Sequence, residues 1–397
     1  MIRHIFRLIW NRKGSNFLIL TEIFLSFIVL FAISTMVVES LLGYLRPIGF
    51  SYEDVWVVNV SPPGGPQDME SDENLRPTYV QMLNDLRSTN EVEYVTWASS
   101  NLPYGRSQWI NDLTINDREI SSNIFLADDD FAGVLRMPVL EGRWFSREDD
   151  ASAEEPIVIN GQLREEAFGN GPAVGQKITT ERHNYRVVGV VGNYLYQGEF
   201  AAAKNGFFVR NHIEGEGSTG MIDMILRVRP GTGVAFEQRL IKDLQAIGRG
   251  WTFKLTTLSD MRAAYFRDHL LSLLTYALVA GFLVLNVALG LFGVVWYSIN
   301  RRRSEIGLRR AVGADASRVS RQILGESLVL ATLAIVVGVF IALQAPILGL
   351  FGSISLTVYL GGMALAALIV YLIVSICAWY PSRLAAKIRP ATALHEE

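Results

Sequence analysis

Four apolar stretches, residues 17–38, 270–299, 323–345 and 356–380, each reach the roughly 20 residues that a helix needs to cross the hydrocarbon core of a bilayer. Backbone polar groups have no water to bond in lipid, so such stretches must be membrane helices. The first is preceded by Arg3, Arg7, Arg12 and Lys13, as a signal peptide would be. Its apolar run is too long for that role, and Met36-Val37-Val38-Glu39 has no small-x-small cleavage site, so it is an anchor that stays.

Charge sets the orientation. Residues 301–321, RRRSEIGLRRAVGADASRVSR, hold seven arginines against one glutamate and one aspartate, which marks a cytoplasmic loop. Basic flanks place residues 1–16 and 381–397 on the same side, the latter through Arg383, Lys387 and Arg389. Residues 39–269 then lie outside, and the uncharged stretch 346–355 is a short external loop. The expected location is the bacterial cytoplasmic (inner) membrane, multi-pass, with both termini in the cytoplasm. Ile2, Ile5, Phe6 and Ile9 share one helical face, so residues 1–16 read either as an interfacial helix or as a plain basic flank.

The net charge of −3 resembles that of a soluble protein, but the charges are sorted along the chain. From Arg46 to Asp268 there are 22 basic and 32 acidic residues, and elsewhere 14 basic and 7 acidic. Cys377 is the single cysteine, which excludes an internal disulfide and Cys-rich metal or redox patterns. The five histidines, His4, His183, His212, His269 and His395, lack metal-ligand spacing.

Residues 39–269 form a domain of ordinary size. Residues 54–60 and 92–98 read as strands around a helix at 78–87, with a linker between the first strand and the helix. A second strand-helix-strand unit follows at 222–228, 234–247 and 251–257. Two such units in one sheet give a split, ferredoxin-like or porter-like layer. Between them, about residues 101–220, alternation at 113–115, 120–126, 156–159 and 185–191 indicates an inserted β-rich subdomain. The expected fold is thus a membrane α-helical part of four transmembrane helices plus an α+β extracytoplasmic domain.

Within residues 300–322, Glu305 to Val312 reads as a short helix, Gly313 as its left-handed stop, and Asp315 as the cap of the next helix. Glu305-Ile306-Gly307-Leu308-Arg309-Arg310-Ala311-Val312-Gly313-Ala314, followed by Glu326-Ser327, resembles the MacB/FtsX-type ABC transporter permeases. So do Pro381-Ser382-Arg383-Leu384-Ala385-Ala386 and Arg389-Pro390-Ala391-Thr392-Ala393-Leu394 at the C-terminal end. In the outer segment, Glu141-Gly142-Arg143-Trp144-Phe145, Ala167-Phe168-Gly169, Val174-Gly175-Gln176-Lys177-Ile178 and Arg186-Val187-Val188-Gly189-Val190-Val191 resemble the MacB-like periplasmic core domain. The resemblance implies that Glu305 to Ala314 is the coupling region that meets a cytoplasmic ABC ATPase subunit. It also implies a second permease chain, identical or different, and an efflux-type periplasmic adaptor with an outer-membrane channel.

A helix with Ile306, Leu308 and Val312 on its surface can enter an apolar groove while its arginines meet acidic rim residues. The bland reading is a loop that only obeys the positive-inside rule and touches membrane lipid. Nucleic acid is not expected as a partner, because the loop is short, tethered at both ends and lacks interleaved aromatics. No G-x-x-x-x-G-K-[ST] loop occurs, so this chain is expected to be no enzyme and to hold no cofactor, with ATP and magnesium on a separate ATPase. Asp128-Asp129-Asp130 reads as a solvated turn, not a cation site. Glu22 is shallow enough to snorkel or to pair with Arg12 or Lys13, and Glu326 to reach Arg302 or Arg321. Gly281, Gly290 and Gly293 allow close helix approach, as in a dimer seam.

The expected function is transmission of ATP-driven motion to the outer domain for export or extraction of a substrate. Rival readings are an FtsX-like relay controlling a cell-wall hydrolase and a membrane-bound sensor.

Overall fold

The computed structural model describes residues 13–64, 75–98, 102–105, 107–115, 118–152, 154–180, 183–211, 223–303, 306–308, 312, 315–344 and 355–386. The interfacial helix expected at the start of the chain, most of the external loop and the tail motif from Arg389 lie outside these residues. In chain order the first half comprises α1 (Lys13–Tyr44), β1 (Val55–Ser61), α2 (Leu75–Arg87), β2 (Val92–Ala98), β3 (Ile110–Ile115), β4 (Arg118–Ala127), α3 (Phe131–Leu135), β5 (Val139–Gly142), β6 (Glu155–Asn160) and α4 (Gly161–Phe168). Then come β7 (Lys177–Thr179), β8 (Asn184–Val191), β9 (Gly206–Arg210), β10 (Asp223–Val228), α5 (Val234–Ile247), β11 (Thr252–Thr257), α6 (Leu258–Arg301), α7 (Ala316–Ala342) and α8 (Leu356–Ala386). They fall into two units, one of Met1–Leu42 with Leu270–Glu397, the other of Gly43–His269.

In the unit Gly43–His269, four strands pair antiparallel in the order β11-β1-β10-β2, the arrangement expected of two strand-helix-strand units in one split layer. Strand alternation sends side chains to opposite faces, and here both faces are covered. Trp56, Val58 and Val60 of β1 join Met224 and Leu226 of β10 beneath α2 and α5. Those helices supply Tyr79, Met82, Leu83 and Leu86, and Phe236, Leu240 and Leu244, at the three- and four-residue spacing of one helical face. Val55, Val57 and Ile225 point the other way, into a core shared with Phe125, Phe131, Tyr194 and Phe208.

Those last aromatics belong to the inserted subdomain, a seven-stranded sheet in the order β5-β8-β6-β9-β4-β3-β7. It closes on itself, because β7 also pairs with β8 at Thr179 and Asn184. Leu113, Ile120, Ile157, Ile159, Val187 and Phe207 form its own core. Closure leaves few strand edges unpaired. The sequence reading anticipates β3, β4, β6 and β8 but not the short β5, β7 and β9.

The acidic triplet departs from the solvated turn expected. Asp128 is 5% exposed, Asp129 takes a two-pronged pair from Arg210 at 2.8 and 2.9 Å, and Asp130 accepts from Arg87 at 3.3 Å. Burial pushes the Asp128 carboxyl up to about 7, against a smaller opposing pull from the Thr96 hydroxyl and Arg87. No group of three or more metal-ligating side chains occurs among the described residues.

In the other unit, α1, α6, α7 and α8 are each long and apolar enough to cross a membrane. Ile23, Phe27 and Phe31 of α1 pack with Leu291 of α6, Ala331 and Ala334 of α7, and Tyr359, Ala366 and Val374 of α8. Small residues permit the approach: at Gly362 a side chain would overlap the backbone of Thr35. All four helices overrun the expected spans at one end or both. α6 begins at Leu258, twelve residues before the apolar run, and α8 continues past Pro381 to Ala386. Near a helix end, proline removes one hydrogen bond without stopping the remaining turn.

Candidate coupling site

Past the end of α6, helix-type hydrogen bonds recur at the described residues. The Arg302 amide donates to the Ile299 carbonyl at 3.1 Å, and the Ile306 amide donates to the Arg302 carbonyl at 2.9 Å. Residues 306–308 are helical, and the Val312 amide donates to the Leu308 carbonyl at 3.1 Å. Ile306 is buried among Val295 and Ile299 of α6 and Val319 and Ile323 of α7. Leu308 is 56% exposed and Val312 84% exposed, four residues apart and so on one face of a helical turn.

A polar contact fixes the same corner. Arg302 Nη1 donates to Glu326 Oε2 at 2.8 Å, and Gln322 Nε2 donates to Glu326 Oε1 at 3.2 Å. Arg302 and Glu326 are only 16% and 17% exposed. Arg301, Arg303, Arg318 and Arg321, which flank Leu308 and Val312 in sequence, are exposed. Asp315 occupies the cap position of α7, but its carboxylate accepts from the Ser317 hydroxyl at 2.6 Å and makes no cap bond to the backbone. Near the start of α7 the Ser320 hydroxyl donates to Ser382 Oγ of α8 at 3.0 Å.

Within the unit Gly43–His269, a second polar knot joins the loop after β8 to the first turns of α6. Glu199, 3% exposed at its side chain, accepts from Arg262 Nε at 2.6 Å and from the Tyr104 hydroxyl at 3.3 Å. The Arg262 guanidinium lies over Tyr52 at 4.4 Å and Phe266 at 4.6 Å. Phe200 stacks on His269 with ring centres 3.8 Å apart. Gly198 has φ +96°, and a side chain there would run into the Tyr265 ring, so glycine is required. Nothing in the sequence marks Glu199 or Arg262, because 63 residues separate them and neither sits in a motif.

Two family models match the chain. The MacB-like periplasmic core domain covers residues 18–241, and the FtsX-like permease C-terminal region covers residues 277–390. The chain belongs to the MacB/FtsX-type ABC transporter permeases. It is 26% identical over 280 residues to the pyoverdine export ATP-binding/permease protein PvdT of Pseudomonas savastanoi, covering 68% of this chain and 42% of that protein. It is 27% identical over 297 residues to the macrolide export ATP-binding/permease protein MacB of Chromobacterium violaceum, covering 70% of this chain and 44% of that protein. The chain therefore spans less than half the length of these relatives. The crystal structure of the periplasmic region of MacB from Actinobacillus actinomycetemcomitans aligns with 56% of this chain and 96% of its own, at 12% identity and a TM-score of 0.39.

Of the ten residues expected to couple this MacB/FtsX-type permease to an ATPase, Ile306, Gly307, Leu308 and Val312 are described. Glu305, Arg309, Arg310, Ala311, Gly313 and Ala314, including the expected left-handed stop, lie outside the described residues. Ile306 is not a surface residue as expected. It is the inward anchor of the segment, and among the described residues Leu308 and Val312 carry the exposed apolar face.

Proposed function

We propose that this permease passes ATP-driven motion from a cytoplasmic ATPase, contributed from outside these 397 residues, to the Gly43–His269 domain for export or extraction of a substrate. In this reading the basic segment faces the cytoplasm of a bacterial inner membrane, and the core domain lies outside. The observation that carries it is the exposed pair Leu308 and Val312, presented by a segment that Ile306 and the Arg302–Glu326 pair bind to α6 and α7. An apolar contact held this firmly is suited to receiving a push and moving two helices with it. The match to the core domain over residues 18–241, and relatives whose names specify pyoverdine and macrolide export, support export over control of a hydrolase.

Leu308→Asp tests the proposal. Burying such a side chain in a partner groove is worth roughly 1.5–3 kcal/mol, so losing it lowers capture of the ATPase by about tenfold or more. Melting of the permease stays unchanged, because Leu308 contributes little to its own core. ATPase captured equally by Leu308→Asp and by the wild-type chain would sink the proposal.

A further inference from the structure

Glu22 lies inside the first membrane-crossing stretch, Ile19–Tyr44. From its shallow place in the sequence it would be expected to turn back toward Arg12 or Lys13. The side chains of Arg12 and Lys13 lie outside the described ones, and the Glu22 carboxyl reaches across to α6, filling the space that a side chain at position 290 would take, a space left open because that residue is glycine. Gly290 stands nine residues before Ile299. At the helical rise this is about 13 Å inside the end of the apolar run. The carboxyl is thus committed to the α1–α6 seam and not to the membrane surface.

The seam offers the carboxyl little. Glu22 Oε2 is fully buried and has no hydrogen-bond partner among the described residues. A small cavity beside it is lined by apolar groups of Ile23, Val287 and Leu291, and by Ser26, whose hydroxyl donates to the Glu22 main-chain carbonyl at 2.6 Å. α6 carries no charged residue from Leu270 to Asn300. On α7 the acid Glu326 is held by Arg302, with Arg318 and Arg321 exposed near the start of the helix. On α8 the ionisable groups are Tyr359, Tyr371, Cys377, Tyr380 and Arg383, and on α1 the other acid, Glu39, lies seventeen residues further along. Among the described side chains a carboxylate anion at this buried oxygen finds no counter-charge, whereas the acid form lacks only one hydrogen bond.

We infer that the Glu22 carboxyl is a proton-binding site within the helical bundle. With its proton the side chain seats α1 against Gly290. Without it, the seam carries an unpaired charge and the carboxyl is driven toward water, so proton occupancy biases how α1 and α6 pack.

Dicyclohexylcarbodiimide reports this state, since it adds to protonated carboxyls in apolar surroundings. The acid proton passes to a carbodiimide nitrogen and the carboxyl oxygen bonds to the central carbon. The acyl group then migrates to nitrogen, giving a stable N-acylurea with no atom lost. With the whole chain in detergent, peptide mass spectrometry is expected to find the adduct on Glu22 and not on Glu39 or Glu326. Labelling should fall by about tenfold or more between about pH 6 and about pH 9 as the proton is lost. Glu22→Gln, which keeps the shape and is always neutral, should abolish the adduct and leave the melting temperature at the wild-type value. An unlabelled Glu22 at about pH 6, or a Gln variant that melts as early as Glu22→Ala, means an ionised and paired carboxylate and overturns the inference.

Discussion

Arg302 and Arg303 are adjacent in sequence and differ in surroundings. By charge alone both serve orientation and lipid contact, and both are expected to matter less for coupling than Leu308. The structure separates them: Arg303 is exposed, whereas Arg302 is nearly buried against Glu326. Charge-assisted hydrogen bonds of this kind are worth about 1.5–3 kcal/mol. Arg302→Ala is therefore expected to destabilise the helical unit by roughly that amount in denaturant or thermal unfolding, and Arg303→Ala by less than about 0.5 kcal/mol. The exchanged pair Arg302→Glu with Glu326→Arg should recover part of the loss, and single and double variants with strictly additive effects would show that the pair is not coupled. Glu326 as the acid within reach of Arg302 was legible from spacing. The inward turn of Ile306 was not, because residues 306 and 308 look equally apolar until α7 is seen to cover one of them.

At the scale of elements, the regular strands and helices of the core domain follow directly from alternation and helical spacing. β5, β7 and β9 escape that reading because three to five residues give too few repeats to count, and their pairing with β4, β6 and β8 supplies what their own pattern lacks. Asp128 was misread for a related reason. An acidic run resembles a solvated turn unless the elements packed over it are known, here β2 through Thr96 and α2 through Arg87. This has a consequence for pH. The folded domain holds the Asp128 proton up to about 7, the unfolded chain only to its ordinary value of 3.8. Stability therefore falls as pH rises through the interval between these values and levels off above it. Asp128→Asn should flatten that part of the melting-temperature profile. A profile that keeps its slope in the variant would assign the titration to another group, the next candidate being Asp223, which burial raises to about 6.

For the whole molecule, the division into four membrane helices and one large inserted domain is written in hydropathy and in the sorting of charge, since a bilayer imposes its own length and sign rules on the chain. Sidedness is open to direct measurement. In a Cys377→Ala background, cysteine at Ser152 in the core domain should react with an impermeant thiol reagent on cells with a permeabilised outer membrane, and cysteine at Ser317 should not. Labelling at Ser317 alone would reverse the orientation. The four-stranded sheet of the core domain has a consequence of another kind. Helices cover one of its faces and the inserted subdomain covers the other, so five of the six residues of β10 are buried and β1 is nearly as closed. A strand with an outward face can let every second position drift through evolution, but these two strands have none to spare. Divergence among members of the family should therefore accumulate on the outer surfaces of α2 and α5 and in the loops, leaving β1 and β10 among the slowest-changing segments of an otherwise permissive domain.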